Sequence, residues 1–341
     1  MKSREYWLDY LRAFACILVT VGHLIMSFQD ALILPDGSAV PVLIDLIYCF
    51  HVYIFFFCSG YLFQNVRENI NHTKRTYVYQ IEKCVDFLIV YVFFSGVTYA
   101  IKVVFSSDVN NAVEYNFLET LTKHPINQMW YLYAISTIYL FAHQIHSEKS
   151  VYIVSAFALL IKILVGIPAF AAVIPVPIKY LCQNMIWFVI GQLFAYKQIE
   201  PTWSISVLLA LLFIALFIFK SVFDISSDVL NAMLTLLGIL ASEGIIRYLT
   251  KNKGATSGIW KYISKYMLQI YLLHTIFAAG IRIVLLKIGV TNVWPHLILG
   301  LLFSFIMPVL FAIIAERIGF LNVFFFPVKT FKSIYIKKHL K

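Results

Sequence analysis

Residues 7–28 read WLDYLRAFACILVTVGHLIMSF, and the reading of this stretch decides the fold. It is long enough to cross the hydrocarbon core of a bilayer, which takes about 20 predominantly apolar residues. It nevertheless holds Arg12 and His23, eleven positions apart. A helix turns about 100° and rises about 1.5 Å per residue, so the two lie roughly 20° apart in azimuth and about 16 Å apart in depth. One face of one helix thus carries a permanent cation near one interface and an imidazole near the other. A charge at membrane depth costs at least about 2.5–3.5 kcal/mol on insertion scales, so such residues face protein or water and mark a function. The expectation is a membrane enzyme that works across the bilayer.

The rest of the chain agrees with a lipid environment. Of its 341 residues, 61% are hydrophobic and 13% charged, more apolar surface than one water-soluble core can hide. We read an all-α polytopic fold of about ten transmembrane helices near 7–28, 42–65, 85–105, 127–146, 150–167, 178–197, 203–221, 228–249, 265–286 and 295–317. Turn-forming clusters separate several of them, such as Pro35-Asp36-Gly37-Ser38, Ser106-Ser107-Asp108 and Pro175-Val176-Pro177. The first stretch lacks a small-residue cleavage site and reads as a retained span, not a signal peptide. Cys16, Cys49, Cys58, Cys84 and Cys182 are scattered without a C-x-x-C, which indicates neither a disulfide framework nor a metal site. Residues 1–320 are expected to form a single transmembrane domain, and 321–341 a basic cytoplasmic tail.

The net charge of +10 raises nucleic acid as a partner, but the charge follows the loops. Nineteen of the 27 lysines and arginines fall on the loops and ends of one side, and seven on or near the other. The positive-inside rule puts both termini in the cytoplasm. The tail interleaves lysines with Phe331, Ile334, Tyr335 and Ile336 and is expected to lie on membrane lipid of the inner leaflet; no nucleic acid is expected. Asn71-His72-Thr73 matches a glycosylation acceptor but falls on an inside loop.

Several polar residues in or beside the spans can carry chemistry. Arg12 either pairs with Asp9, three residues away, or faces a cytoplasmic opening, where a guanidinium suits phosphate. His23 has the side chain best suited to proton abstraction near neutral pH. Asp45, at about the same depth on the second span, is a candidate to orient it, as carboxylates do in triads; otherwise it touches interfacial water. His51 and His274 read either as pocket residues or as hydrogen-bonded packing residues. Ser59-Gly60 suits close helix packing. No G-x-S-x-G, H-E-x-x-H or phosphate-cradling Gly-rich loop occurs, which counts against hydrolase and metalloprotease readings.

Four segments together carry a resemblance. Leu8 to Ala15, continuing to Gly22-His23, closely resembles the first-helix signature of membrane-integral acyltransferase family 3. The aromatic run Phe50 to Leu62, which contains Ser59-Gly60, is similar to its second-helix segment. Met129-Trp130-Tyr131-Leu132 is similar to its Leu-Trp-Phe-Leu motif, and Tyr271-Leu272-Leu273-His274 to its Tyr-x-x-His motif. The resemblance implies a ten-helix fold in the plasma membrane, most often of bacteria. It also implies transfer of an acyl group, usually acetyl, from cytoplasmic acetyl-coenzyme A to a hydroxyl of an extracytoplasmic glycan. His23 would be catalytic and Arg12 part of the donor site. Ser59, Trp130, Tyr271 and His274, with His51, would line the pocket. Polysaccharide synthesis or export machinery is an expected partner. The family often has two close arginines leading into the third helix; here Gln80-Ile81-Glu82-Lys83 stands there, with Lys74 and Arg75 upstream. Lys74, Arg75 and Lys83 are therefore the candidate donor-binding cations.

The expected scheme runs the thioester up a pore beside the first helix to His23, which takes the proton of an acceptor hydroxyl. The alternative is a transporter or flippase for lipid-linked glycan, for which buried cations and an aromatic cavity also serve.

Overall fold

Helix α1 (Tyr6–Asp30) stands in the middle of the molecule. It touches α2 (Val40–Tyr48), α3 (Tyr53–Glu68), α11 (Asp228–Thr250), α12 (Gly258–Lys265), α13 (Met267–Lys287) and α14 (Val293–Ile318). Around these lie α4 (Thr73–Val104), α5 (Phe117–Thr122), α6 (Trp130–Phe141), α7 (Glu148–Val165), α8 (Pro168–Val173), α9 (Val176–Lys197), α10 (Trp203–Val222) and α15 (Pro327–His339). The structure is a computed structural model that describes residues 5–34, 39–68 and 73–339; the side chains of 66–68, 73–76 and 334–339 lie outside that description. No strand occurs among the described residues, and the protein is an all-α polytopic membrane protein.

Local sequence explains where many helices begin. Ser147 and Ser150 close a reciprocal capping box at α7. Thr202, Ser227 and Asn292 accept from backbone N–H groups at the starts of α10, α11 and α14. Pro177 sits in the first turn of α9, where its missing N–H costs nothing.

Seven stretches are long and apolar enough to cross a membrane by length and composition: Tyr6–Asp30, Val40–Asn65, Tyr77–Val104, Trp203–Val222, Asp228–Thr250, Met267–Lys287 and Val293–Ile318. The three other expected spans coincide with α6, α7 and α9, which are not among these seven. For α9 the reason is its place in the fold: Asn184 and Gln192 are buried in protein, so its surroundings are not purely lipid. Gly60 of α3 and Gly191 of α9 bring the two backbones into contact. A Cβ on Gly60 would lie 1.9 Å from the Phe188 carbonyl oxygen, and one on Gly191 would lie 1.9 Å from that of Phe57. This is the close approach that small residues permit between membrane helices.

The fourth expected span, 127–146, is corrected by the structure. Regular α-helix covers only Trp130–Phe141, about 18 Å of rise. Pro125 disfavours an earlier start, and Asn127 takes the left-handed conformation at φ +45°, which asparagine tolerates. The preceding chain instead follows α4: Tyr99 donates to the Tyr115 carbonyl at 3.4 Å and Tyr91 to that of Leu121 at 2.6 Å. After α6 the backbone is not helical, and side-chain amides satisfy it. Gln64 donates to the Ile145 carbonyl at 2.8 Å and accepts from the Ile145 N–H at 3.1 Å. Gln80 donates to the Ala142 carbonyl and Gln192 to that of His143. Irregular backbone at membrane depth survives only where protein or a cavity meets its hydrogen bonds.

Both ends of the described chain meet on one face. At the start of α1, Trp7 packs edge-on against Tyr61 near the end of α3, with the Arg247 guanidinium 3.9 Å over its ring. On the same face Gln64 of α3 and Gln80 of α4 reach the segment after α6. There α15 docks on α4, where Asp86 accepts from the Val328 N–H at 2.9 Å and Lys332 pairs with Glu82. The segment after residue 320 thus packs on the bundle. We call this face inner and the opposite one outer, following the distribution of basic residues.

Candidate active site

Arg12 and His23 open into two different recesses. Arg12 lines an inner one of about 200 Å³, with Phe55, Ser59, Lys83, Asp86, Tyr131 and Tyr271 on its wall. His23 lines an outer one of about 550 Å³, with Asp30, Lys102, Asn127, His274 and Arg282 among its neighbours. The two share no lining residue and are two separate recesses rather than one. A layer of side chains from α13 and the turn before α6 stands between them. Tyr271 donates to the Gln128 carbonyl, while the Gln128 amide donates to the Tyr271 carbonyl at 3.2 Å and to Thr275 Oγ1 at 3.1 Å.

His23 sits where α1 meets α2. Gly22 makes room: a Cβ there would lie 3.0 Å from the Tyr48 ring. The Tyr48 hydroxyl is 3.2 Å from His23 Nδ1 and donates to Met26 Sδ at 3.6 Å. With its proton on Met26, the tyrosine oxygen accepts from Nδ1–H, and the neutral imidazole then carries its lone pair on Nε2. Asp45 does not orient His23. The side of α2 turned inward holds Ile44 and Ile47, with Tyr48 half-buried beside them, while Asp45 falls off that stripe and is exposed. The register of α2 therefore presents a phenol, not a carboxylate, to the imidazole.

His274 lies beside His23 with ring centroids 5.4 Å apart. Its Nδ1 donates to the Ile270 carbonyl at 2.9 Å, and its Nε2 is buried with no partner. The carbonyl can only accept, so this Nε2 carries a free lone pair in the neutral ring. His51 lines neither recess. It is buried, donates from Nδ1 to the Ile47 carbonyl at 2.7 Å, and packs its ring 4.7 Å from that of Tyr48. It thus backs the residue that holds His23.

At the inner recess Arg12 is ion-paired to Asp9 and still reaches the cavity wall. Both sequence readings of Arg12 describe it. Lys83 lines the same wall; the side chains of Lys74 and Arg75 lie outside the described residues. Ser59 and Tyr271 are wall residues, with Ser59 Oγ 3.5 Å from the Tyr131 hydroxyl. Trp130 lines neither recess; it is half-buried, stacked on Tyr180 and tilted against the Phe56 ring. Sequence reasoning missed Tyr48, Gln128 and Arg282. A signal existed for Tyr48, which precedes His51 by three residues and so shares its side of the chain.

Among the described residues no cluster of three or more metal-ligating side chains occurs. A search of curated proteins and a search of solved structures each found no match. The family model described as an acyltransferase domain matches residues 5–313, a range that contains the outer recess, all of the inner recess but Phe325 and Phe326, the layer between them and all four sequence motifs. The chain belongs to acyltransferase family 3 and is a membrane acyltransferase.

Proposed function

We propose that the protein transfers an acetyl or other short acyl group from cytoplasmic acyl-coenzyme A to a hydroxyl of an extracytoplasmic glycan, with His23 as general base. The observation that carries this reading is the pair of recesses on one side of α1, one holding Arg12 and the other His23. The donor phosphates suit the inner face, where Arg12 and Lys83 offer cations; a guanidinium recognises phosphate oxygens in a planar, two-point geometry. The acceptor suits the wider outer recess. There His23 Nε2 takes the hydroxyl proton as the oxygen attacks the thioester carbonyl. The carbon–sulfur bond breaks, and the coenzyme leaves as thiolate, which takes up that proton from the imidazolium. His274, with its free Nε2, accepts from a second hydroxyl and fixes the sugar's orientation.

The reading requires the layer of Tyr271 and Gln128 to part when the donor arm enters, since the thioester must reach His23. These two residues are joined mainly by hydrogen bonds to one another, each worth about 0.5–1.5 kcal/mol net, a modest barrier beside donor binding energy. General-base help contributes about 10²–10⁴-fold, so His23→Ala in purified protein should lower acetyl transfer by that factor while the fold and membrane insertion persist. Transfer at the wild-type rate by a folded His23→Ala protein sinks the proposal. Pre-steady-state burst kinetics with labelled donor separate direct attack from an acetyl-His23 intermediate.

Two recesses closed off from each other also suit a carrier of lipid-linked glycan. Coenzyme A release on adding an acceptor decides between the two, because a carrier releases none.

A further inference from the structure

Arg282 is 4% exposed, yet it forms part of the outer recess wall. Its Nη1 donates to the Ser27 carbonyl at 3.1 Å, near the outer end of α1. No hydrogen bond reaches Nε or Nη2, Nε is buried without a partner, and no ion pair reaches the guanidinium among the described residues. A buried unpaired charge is costly, and proteins tolerate it where a partner completes it. The other charged groups of the wall leave that partner missing. Lys287 is paired with Asp108 at 2.8 Å. Lys102 donates to the Asn111 carbonyl at 2.9 Å and has no carboxylate of its own. Asp30 accepts from the Asn111 amide at 3.2 Å. Among the described lining residues two cations, Arg282 and Lys102, therefore face the single remaining carboxylate, Asp30, which leaves a surplus of one positive charge.

We infer that the acceptor carries a carboxylate, bound by Arg282: the glycan is built with uronic-acid-type sugars, and the hydroxyl to be acylated lies on the same or the adjoining ring. This rests on the proposed acyl transfer and narrows its substrate class. Arg282 grips α1 at Ser27, four residues beyond His23, which sets the guanidinium about 6 Å further out along the axis than the imidazole. That span is about one sugar ring. A single carboxylate fits the surplus of one positive charge, whereas the dianion of a phosphate monoester would face repulsion from Asp30. Arginine in place of lysine also suits the planar fork of a carboxylate.

The test uses the purified full-length protein with acetyl-coenzyme A and a panel of trisaccharides of glucuronate, galacturonate and mannuronate. Each is compared with its carboxyl-reduced, neutral counterpart. The expected result is a kcat/KM for at least one uronide about tenfold or more above that of its neutral counterpart, carried by KM; a hydrogen bond to a charged group is worth that much. Arg282→Gln should bring the ratio close to one, and Arg282→Lys should retain part of it. Raising salt from about 50 to about 500 mM should raise KM for the uronide but not for the neutral sugar, a readout that needs no variant. Equal use of both sugars, or preference for the neutral one, overturns the carboxylate inference and leaves acyl transfer standing. Absence of coenzyme A release with every member of the panel removes both.

Discussion

The two recesses on α1 differ in almost every respect. The inner one is small and framed by aromatic rings, with its cation Arg12 already paired to Asp9. The outer one is more than twice as large, and its base, His23, is held by an uncharged phenol. On the proposed reading the inner side receives the phosphates of the donor, and Arg12 and Lys83 are its cations. The outer side presents an imidazole to a wider space, with room for a bulky partner. If the proposed roles hold, the contrast teaches that donor binding and proton transfer are separated by depth along one helix, so damage to one should leave the other measurable.

The most severe break in that separation is His23→Ala. Transfer should fall by about 10²–10⁴-fold, while the apparent affinity for acetyl-coenzyme A, read by equilibrium binding, should not change. Arg12→Ala should do the reverse: about tenfold or more weaker donor affinity, the worth of one charged hydrogen bond, with acceptor KM unaltered. An unchanged donor affinity takes Arg12 out of the inner site. Tyr48→Phe sharpens the outer side. It removes the acceptor for Nδ1–H, so kcat should drop by about tenfold while KM for both substrates holds; a full-rate Tyr48→Phe enzyme means that His23 needs no such support. Asp45→Asn should be nearly silent, less than about twofold in kcat, because exposed surface substitutions change little. A large loss there would return the carboxylate to the site.

The sequence made the helical, membrane-spanning character legible through apolar length alone, and it made the shared face of Arg12 and His23 legible through helix periodicity. The Gly60 contact was readable as well, since a small residue in an aromatic run has little other use. The break before α6 was harder. Pro125 was visible, but the glutamines that satisfy the backbone after Phe141 come from α3, α4 and α9, and only the folded bundle brings them there. The same holds for the site. Ser59, Tyr271 and His274 were placed near a cavity by motif. The exchange of Asp45 for Tyr48 depended on the register of a nine-residue helix, which apolar composition does not fix. Arg282 was not singled out in the sequence, because the groups that define its surroundings, Ser27, Asp30 and Lys102, are distant along the chain.

The excursion of residues 105–126 along α4 has a consequence for how this enzyme can diversify. It supplies Asp108, Asn110 and Asn111 to the wall of the outer recess, where a regular transmembrane helix would have offered side chains spaced by its own pitch. Backbone freed from that pitch tolerates insertion and substitution. On the proposed function, a change of acceptor preference can be grafted into this one segment while α1 stays untouched.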